Sequence, residues 1–133
     1  MRTALPLDHV LLVANEYEQA LAFYDAALSP LGIRRILQKD RSCGFGVGHP
    51  FFWIRMTNTE HAPSQNIHIA FSATSKEAVE AFYAAAMEAG GTSHGAPEYQ
   101  PAYGVGYYAA FVFDLDGNNV EAVFRESPLP EQS

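Results

Sequence analysis

Two short apolar, β-branched runs, LDHVLLVA at Leu7–Ala14 and NIHIAFSA at Asn66–Ala73, are each followed by a change of period. Behind the first, Ala20, Phe23, Tyr24, Ala27, Leu28 and Leu31 recur at helical spacing; behind the second, Val79, Phe82, Tyr83, Ala86 and Met87 do. The runs predict strands and the periodic segments amphipathic helices. Asn15 with Glu18, and Thr74 with Glu77, stand at capping-box spacing. Pro30 and Gly32 should stop the first helix and Gly90-Gly91 the second. Strand-like runs follow each helix: Ile33–Lys39, Cys43–Val47 and Phe51–Met56, then Thr92–Tyr99, Tyr107–Asp114 and Asn119–Arg125, with a hairpin turn at Asp116–Asn119.

The two halves are one pattern written twice. An offset of 59 residues aligns Leu7–Gly32 with Asn66–Gly91 without a gap, and nine of the 26 positions are identical. Unrelated segments would share about one or two, so this is an internal repeat. Each copy reads as a β-α-β-β-β module, giving an α+β fold of two modules. Module one covers about 5–57, the polar stretch Thr57–Gln65 is the linker, module two covers about 66–126, and the tail 127–133 (SPLPEQS) should be frayed. A module of this size buries too little surface to stand alone, so residues 1–133 are expected to form one domain.

Composition narrows the partners. The chain has 133 residues, 48% of them hydrophobic, with 8 Lys and Arg against 15 Asp and Glu, a formal charge of −7. No Lys or Arg occurs between Glu77 and Phe124. Nucleic-acid binding requires a basic stripe, so no nucleic-acid partner is expected. No apolar run reaches the roughly 18–20 residues of a membrane span, and the periodic pattern begins by Leu7, so neither a membrane segment nor a signal peptide is expected. One cysteine, Cys43, excludes an internal disulfide. A cytoplasmic protein acting on a small molecule is the expectation.

Strand parity marks candidate chemistry. Asn66, His68, Ala70 and Ser72 share one face of their strand, polar and small, while Ile67, Ile69 and Phe71 form the face a helix would cover. Glu121 lies on a different face from Val120, Ala122 and Phe124, and a carboxylate inside so apolar a strand needs a partner or water. A single strand histidine is ordinarily a hydrogen-bonded core residue, and residue type alone leaves that alternative open.

Paired βαβββ modules carrying LDHV, AFYDAALSPLG, HIAF and DLDGNNVEAVF resemble the vicinal oxygen chelate superfamily, which includes glyoxalase I, extradiol dioxygenases and the fosfomycin- and bleomycin-resistance proteins. The resemblance runs from about Leu7 to Phe124. It implies sheets curled into a half-open barrel (the glyoxalase/bleomycin-resistance/dioxygenase fold) around a divalent metal, Fe, Mn, Ni or Zn. The positions matching its ligands are His9, His68 and Glu121, two histidines and a carboxylate of the type that binds such metals with open positions. It also implies a homodimer, in which modules are exchanged between chains or not.

The resemblance implies a metal-dependent lyase, isomerase or dioxygenase acting on a substrate with vicinal oxygens, or, as in bleomycin-binding members, a metal-free protein that sequesters a small molecule. Glyoxalase I has a fourth ligand on the last strand of the first module; that strand here, FFWIRM, offers Trp53 and no carboxylate, and Glu60 lies in the linker. Lactoylglutathione lyase activity is therefore not expected. Dioxygenase-like proton transfer would draw on His94, Tyr103 or Tyr107. Phe52, Trp53, Tyr99, Tyr103 and Tyr108, with His49 and Arg55 as nearby polar groups, are candidate pocket residues; aromatic residues are also ordinary core. The GFGVG run at Gly44–Gly48 follows no strand-to-helix turn, and DLDGNNVE has its glycine too early for an EF-hand.

Overall fold

A computed structural model describes residues 6–126; the N-terminal five residues and the tail 127–133 expected to fray lie outside the described residues. Module one comprises β1 (Val10–Ala14), α1 (Tyr17–Leu28), β2 (Arg34–Gln38), β3 (Ser42–Val47) and β4 (His49–Met56). Module two repeats the order with β5 (His68–Ser72), α2 (Lys76–Glu88), β6 (Thr92–Tyr99), β7 (Tyr107–Phe113) and β8 (Asn119–Arg125). The sheets are ordered β1-β4-β3-β2 and β5-β8-β7-β6, with the first and last strands of each module parallel and the others antiparallel. No helix among the described residues is long and apolar enough to cross a membrane.

The helical stripes are buried as their spacing predicts. Ala20, Phe23, Tyr24, Ala27 and Leu28 of α1, and Val79, Phe82 and Ala86 of α2, are buried against one face of each sheet. The helix starts differ from the expected boxes. Ser75 caps α2, its hydroxyl accepting from the Ala78 amide at 3.0 Å, and Glu16 stands at the start of α1 with no side-chain cap bond. Asn15 is drawn away by the other module: its amide donates to Asp116 at 3.3 Å. Pro30 lies in a 3-10 turn, and Gly32, at φ +79°, ends it in the left-handed conformation that glycine accepts without strain.

The loop between β7 and β8 clasps the two modules. Asp114 Oδ1 accepts from the backbone amides of Asp116 and Asn118, while Oδ2 accepts from Asn118 Nδ2 and, at 2.5 Å, from the Tyr24 hydroxyl of α1. Asn118 also donates to the Ser64 carbonyl and accepts from the Ile67 amide. The acidic DLDGNN loop thus directs its acceptors into the module seam. Across the seam the Phe52 and Phe71 rings meet edge to face, 5.2 Å between centroids. Tyr24→Phe should lower stability by about 1–3 kcal/mol, because a buried carboxylate loses a donor. Urea denaturation of the pure variant measures it, and an unchanged midpoint would show that the clasp contributes nothing.

Candidate functional site

Each sheet has one face covered by helices and an opposite floor free of helix, and strand register determines what stands on each floor. In module two, Ala70 pairs with Glu121, Glu121 with Phe111, and Phe111 with Gly95, so these four form one row across β5, β8, β7 and β6. In module one the corresponding row is Leu11, Trp53, Gly44 and Leu37. Leu11 and Ala70 are separated by the repeat offset, so Trp53 stands at the register position that Glu121 occupies in module two. The indole lies over Gly44, where a Cβ would approach ring carbons to 2.9 Å. Lys39 Nζ lies 5.3 Å from that ring.

Glu121 is 2% exposed, and both of its oxygens are held. Oε1 lies 2.7 Å from His68 Nε2, and Oε2 accepts from the Tyr107 hydroxyl. Tyr107 starts opposite Arg125 in the β7–β8 ladder, and its ring belongs to an apolar cluster with Ala109, Phe111 and Val123. Burial, then the hydrogen bond and charge of Glu121, push the Tyr107 hydroxyl up to about 12, so near neutral pH it remains a donor to the carboxylate. The His68 side chain is 54% exposed, its ring edge-on to Phe111. Beside it in register stands Asn119, whose Oδ1 is buried without a hydrogen-bond partner among the described residues.

His9 is not part of that pair, although it lines a cleft with Ala70 and Ser72 of β5. It precedes β1 by one residue, and its Nδ1 is 2.7 Å from Asp8 Oδ1. Among the described residues no three His, Cys, Asp or Glu side chains converge as a metal cluster. Two of the three expected ligands, His68 and Glu121, therefore meet within the chain, and His9 is not joined to them.

The other candidates divide by face. Tyr103 packs edge-on to Tyr107, 5.4 Å between centroids, and His94 stacks on Phe113, whose strand partner is Asn119. Both belong to the surroundings of Glu121. Tyr108 points to the helix side, donating to Glu80 of α2, and Tyr99 packs on it. Phe52 is fully buried against Tyr24, Phe45 and Phe71. Arg55 shares the floor of Trp53. His9 and His49, with Phe52, line an open cleft of about 570 Å3 between the edges of β1 and β5. Sequence reasoning had Tyr107 only as a residue type, although its hairpin register with Arg125 would have placed it on Glu121's face. Arg125 was not among the candidates at all; its guanidinium lies 4.8 Å from the Tyr107 ring.

The donor set on this floor suits a divalent cation of intermediate softness, since one imidazole and one buried carboxylate converge beside an unpartnered buried amide oxygen. Held by Tyr107, the carboxylate is also fixed in direction, as supporting hydrogen bonds fix ligands in metal sites.

No curated protein matches the sequence. Among solved structures, a glyoxalase/bleomycin resistance protein from Albidiferax ferrireducens T118 is 30% identical, with a TM-score of 0.76 over 89% of this chain and 97% of that one. Lactoylglutathione lyase from Agrobacterium tumefaciens is 19% identical, with a TM-score of 0.63 over 92% and 96% of the two chains. The fosfomycin resistance protein FosX from Listeria monocytogenes, solved with Mn(II), is 16% identical, with a TM-score of 0.63 over 92% and 90%. At those identities the last two share the fold. A family model matches residues 6–122, and with the two βαβββ modules seen here it shows that the chain belongs to the Glyoxalase/Bleomycin resistance protein/Dioxygenase superfamily.

Proposed function

We propose that this protein is a divalent-metal-dependent enzyme acting on a small substrate with vicinal oxygens, in lyase, isomerase or dioxygenase chemistry. The observation that carries the reading is the buried Glu121 carboxylate, held by Tyr107 and meeting the half-exposed His68 on the helix-free floor. Leaving so desolvated a carboxylate in an apolar strand is costly unless it has a task or a partner. His68, Glu121 and His9 would hold the metal, which when bound supplies Lewis-acid stabilisation of oxygen-centred charge. Tyr107 keeps Glu121 oriented. Tyr103 and His94, on the same floor, are the groups positioned to exchange protons with a bound substrate.

The third ligand comes from a second copy of the chain, so the working unit is a homodimer. Three observations support this. His9 is unconnected to the His68–Glu121 pair within one chain. The floor of module one exposes Leu11 and Leu37 on either side of Trp53, and apolar surface of that kind is normally covered. Charge also disfavours pairing module two with its own copy: it holds eight carboxylates against Lys76 and Arg125, whereas in module one Arg34, Arg35, Lys39, Arg41 and Arg55 balance five carboxylates.

Elemental analysis of protein purified without chelator or affinity metal tests the reading. One equivalent of Fe, Mn, Ni or Zn surviving dialysis is the expected result. The direct His68–Glu121 contact favours the second reading, a metal-free binding protein; absent metal with tight binding of an aromatic ligand would establish it. Lactoylglutathione lyase activity is expected to be negligible, because Trp53 occupies the position of a fourth ligand. Turnover of a hemithioacetal at about 1–1000 per second, the ordinary enzymatic range, would show that Trp53 is no obstacle.

A further inference from the structure

We propose that Arg125 forms an anion subsite, so that the ligand of this floor is a small carboxylate whose charged end rests on Arg125 and whose oxygen-bearing end reaches His68 and Glu121. The proposal rests on the reading of that pair as the reacting end. Module two has two cations against eight carboxylates, and Lys76 is committed elsewhere: its ammonium donates to Tyr99 at 2.9 Å and lies 4.8 and 4.9 Å from the Tyr99 and Tyr108 rings. Arg125 forms no ion pair among the described residues, although its module is strongly acidic in sequence. It is exposed, with its guanidinium 4.8 Å from the Tyr107 ring. No carboxylate among the described residues takes its N–H donors, and a guanidinium's donors suit a carboxylate held by two parallel hydrogen bonds.

The same ring connects the two ends of the site. Tyr107 carries Arg125 on its face and holds Glu121 with its hydroxyl. Arg125 and Glu121 are four residues apart on one face of β8, about 13 Å along the strand, and the tyrosine spans the interval above Val123 and Ala109. Arg125 lies over that ring and Glu121 takes its hydroxyl, so the one tyrosine ring separates an anion on Arg125 from the carboxylate–imidazole pair. Tyr103, 62% exposed and edge-on to Tyr107, offers an aromatic wall beside that path.

The probes are salicylate, which joins a carboxylate to a neighbouring oxygen on one ring, and its neutral amide, salicylamide. Calorimetric titration of the purified protein should show salicylate bound at least about tenfold more tightly than salicylamide, the size of a hydrogen bond to a charged group. Arg125→Gln should erase that preference, and Arg125→Lys should keep part of it. Both variants should retain the wild-type melting temperature and metal content, because Arg125 is exposed and is no ligand. Equal affinity for the two probes, no binding of salicylate, or a preference unchanged in Arg125→Gln would each overturn the proposal. Failure of the metal reading looks different: protein without metal that still prefers salicylate through Arg125.

Discussion

Replacement of His68 by alanine is expected to abolish stoichiometric metal binding and leave the fold in place. The side chain is 54% exposed and stands on the helix-free floor, so little apolar burial is lost with it. Its partner is not stranded, since Glu121 keeps the Tyr107 hydroxyl as a donor. A supporting residue behind a metal ligand is worth about 10–100-fold in affinity, and a direct ligand is worth more. Elemental analysis after dialysis should therefore fall from one equivalent to background. Circular dichroism and the urea midpoint should match the wild type. Metal content that survives this change would remove His68 from the site.

Mixing a His9→Ala chain with a His68→Ala chain in equal amounts should restore about half the metal capacity of each mixed dimer, about a quarter of the wild-type capacity of the whole mixture when the chains reassort at random. Each variant alone lacks one ligand at every site and binds none. In a mixed dimer with exchanged modules, one site receives both lesions and the other receives neither, so one intact site returns per dimer. If each chain built its site from its own residues, every site in the mixture would lack a histidine and nothing would return. The arrangement favours the first outcome, because His9 pairs with Asp8 and stays apart from His68 and Glu121. A protein that remains monomeric in light scattering at concentrations where it binds metal would exclude a shared site.

Much of the fold is legible because the chain states it twice. The offset of 59 predicts two modules, and the last strand, Asn119–Arg125, falls where the alternation places it. The helix starts were misread for a local reason. Ser75 can reach the amide of Ala78, whereas Thr74 lies one residue too early. In module one the backbone of Asn15 is taken by Asp116, a residue remote in sequence that no capping pattern records. The site is legible in type and less so in pairing. Parity alone separates Glu121 from the helix-facing residues of its strand. Which aromatic residues surround it depends on hairpin register: Tyr107 and Tyr108 are neighbours in sequence, yet one holds Glu121 and the other holds Glu80 of α2. The exposed Arg125 carried no signal until the ladder set it opposite Tyr107.

The seat of Trp53 has a practical consequence. It is the chain's single indole, laid over Gly44 on the floor that a second copy would cover. Intrinsic emission excited at the red edge of protein absorbance, where tyrosine is silent, therefore comes from one address in the molecule. Dilution that separates two chains would wet that address and move the emission to longer wavelength, while events confined to the helix-covered side would leave it unchanged. In the proposed dimer Trp53 would thus serve as an optical gauge of whether the two unlike floors are together.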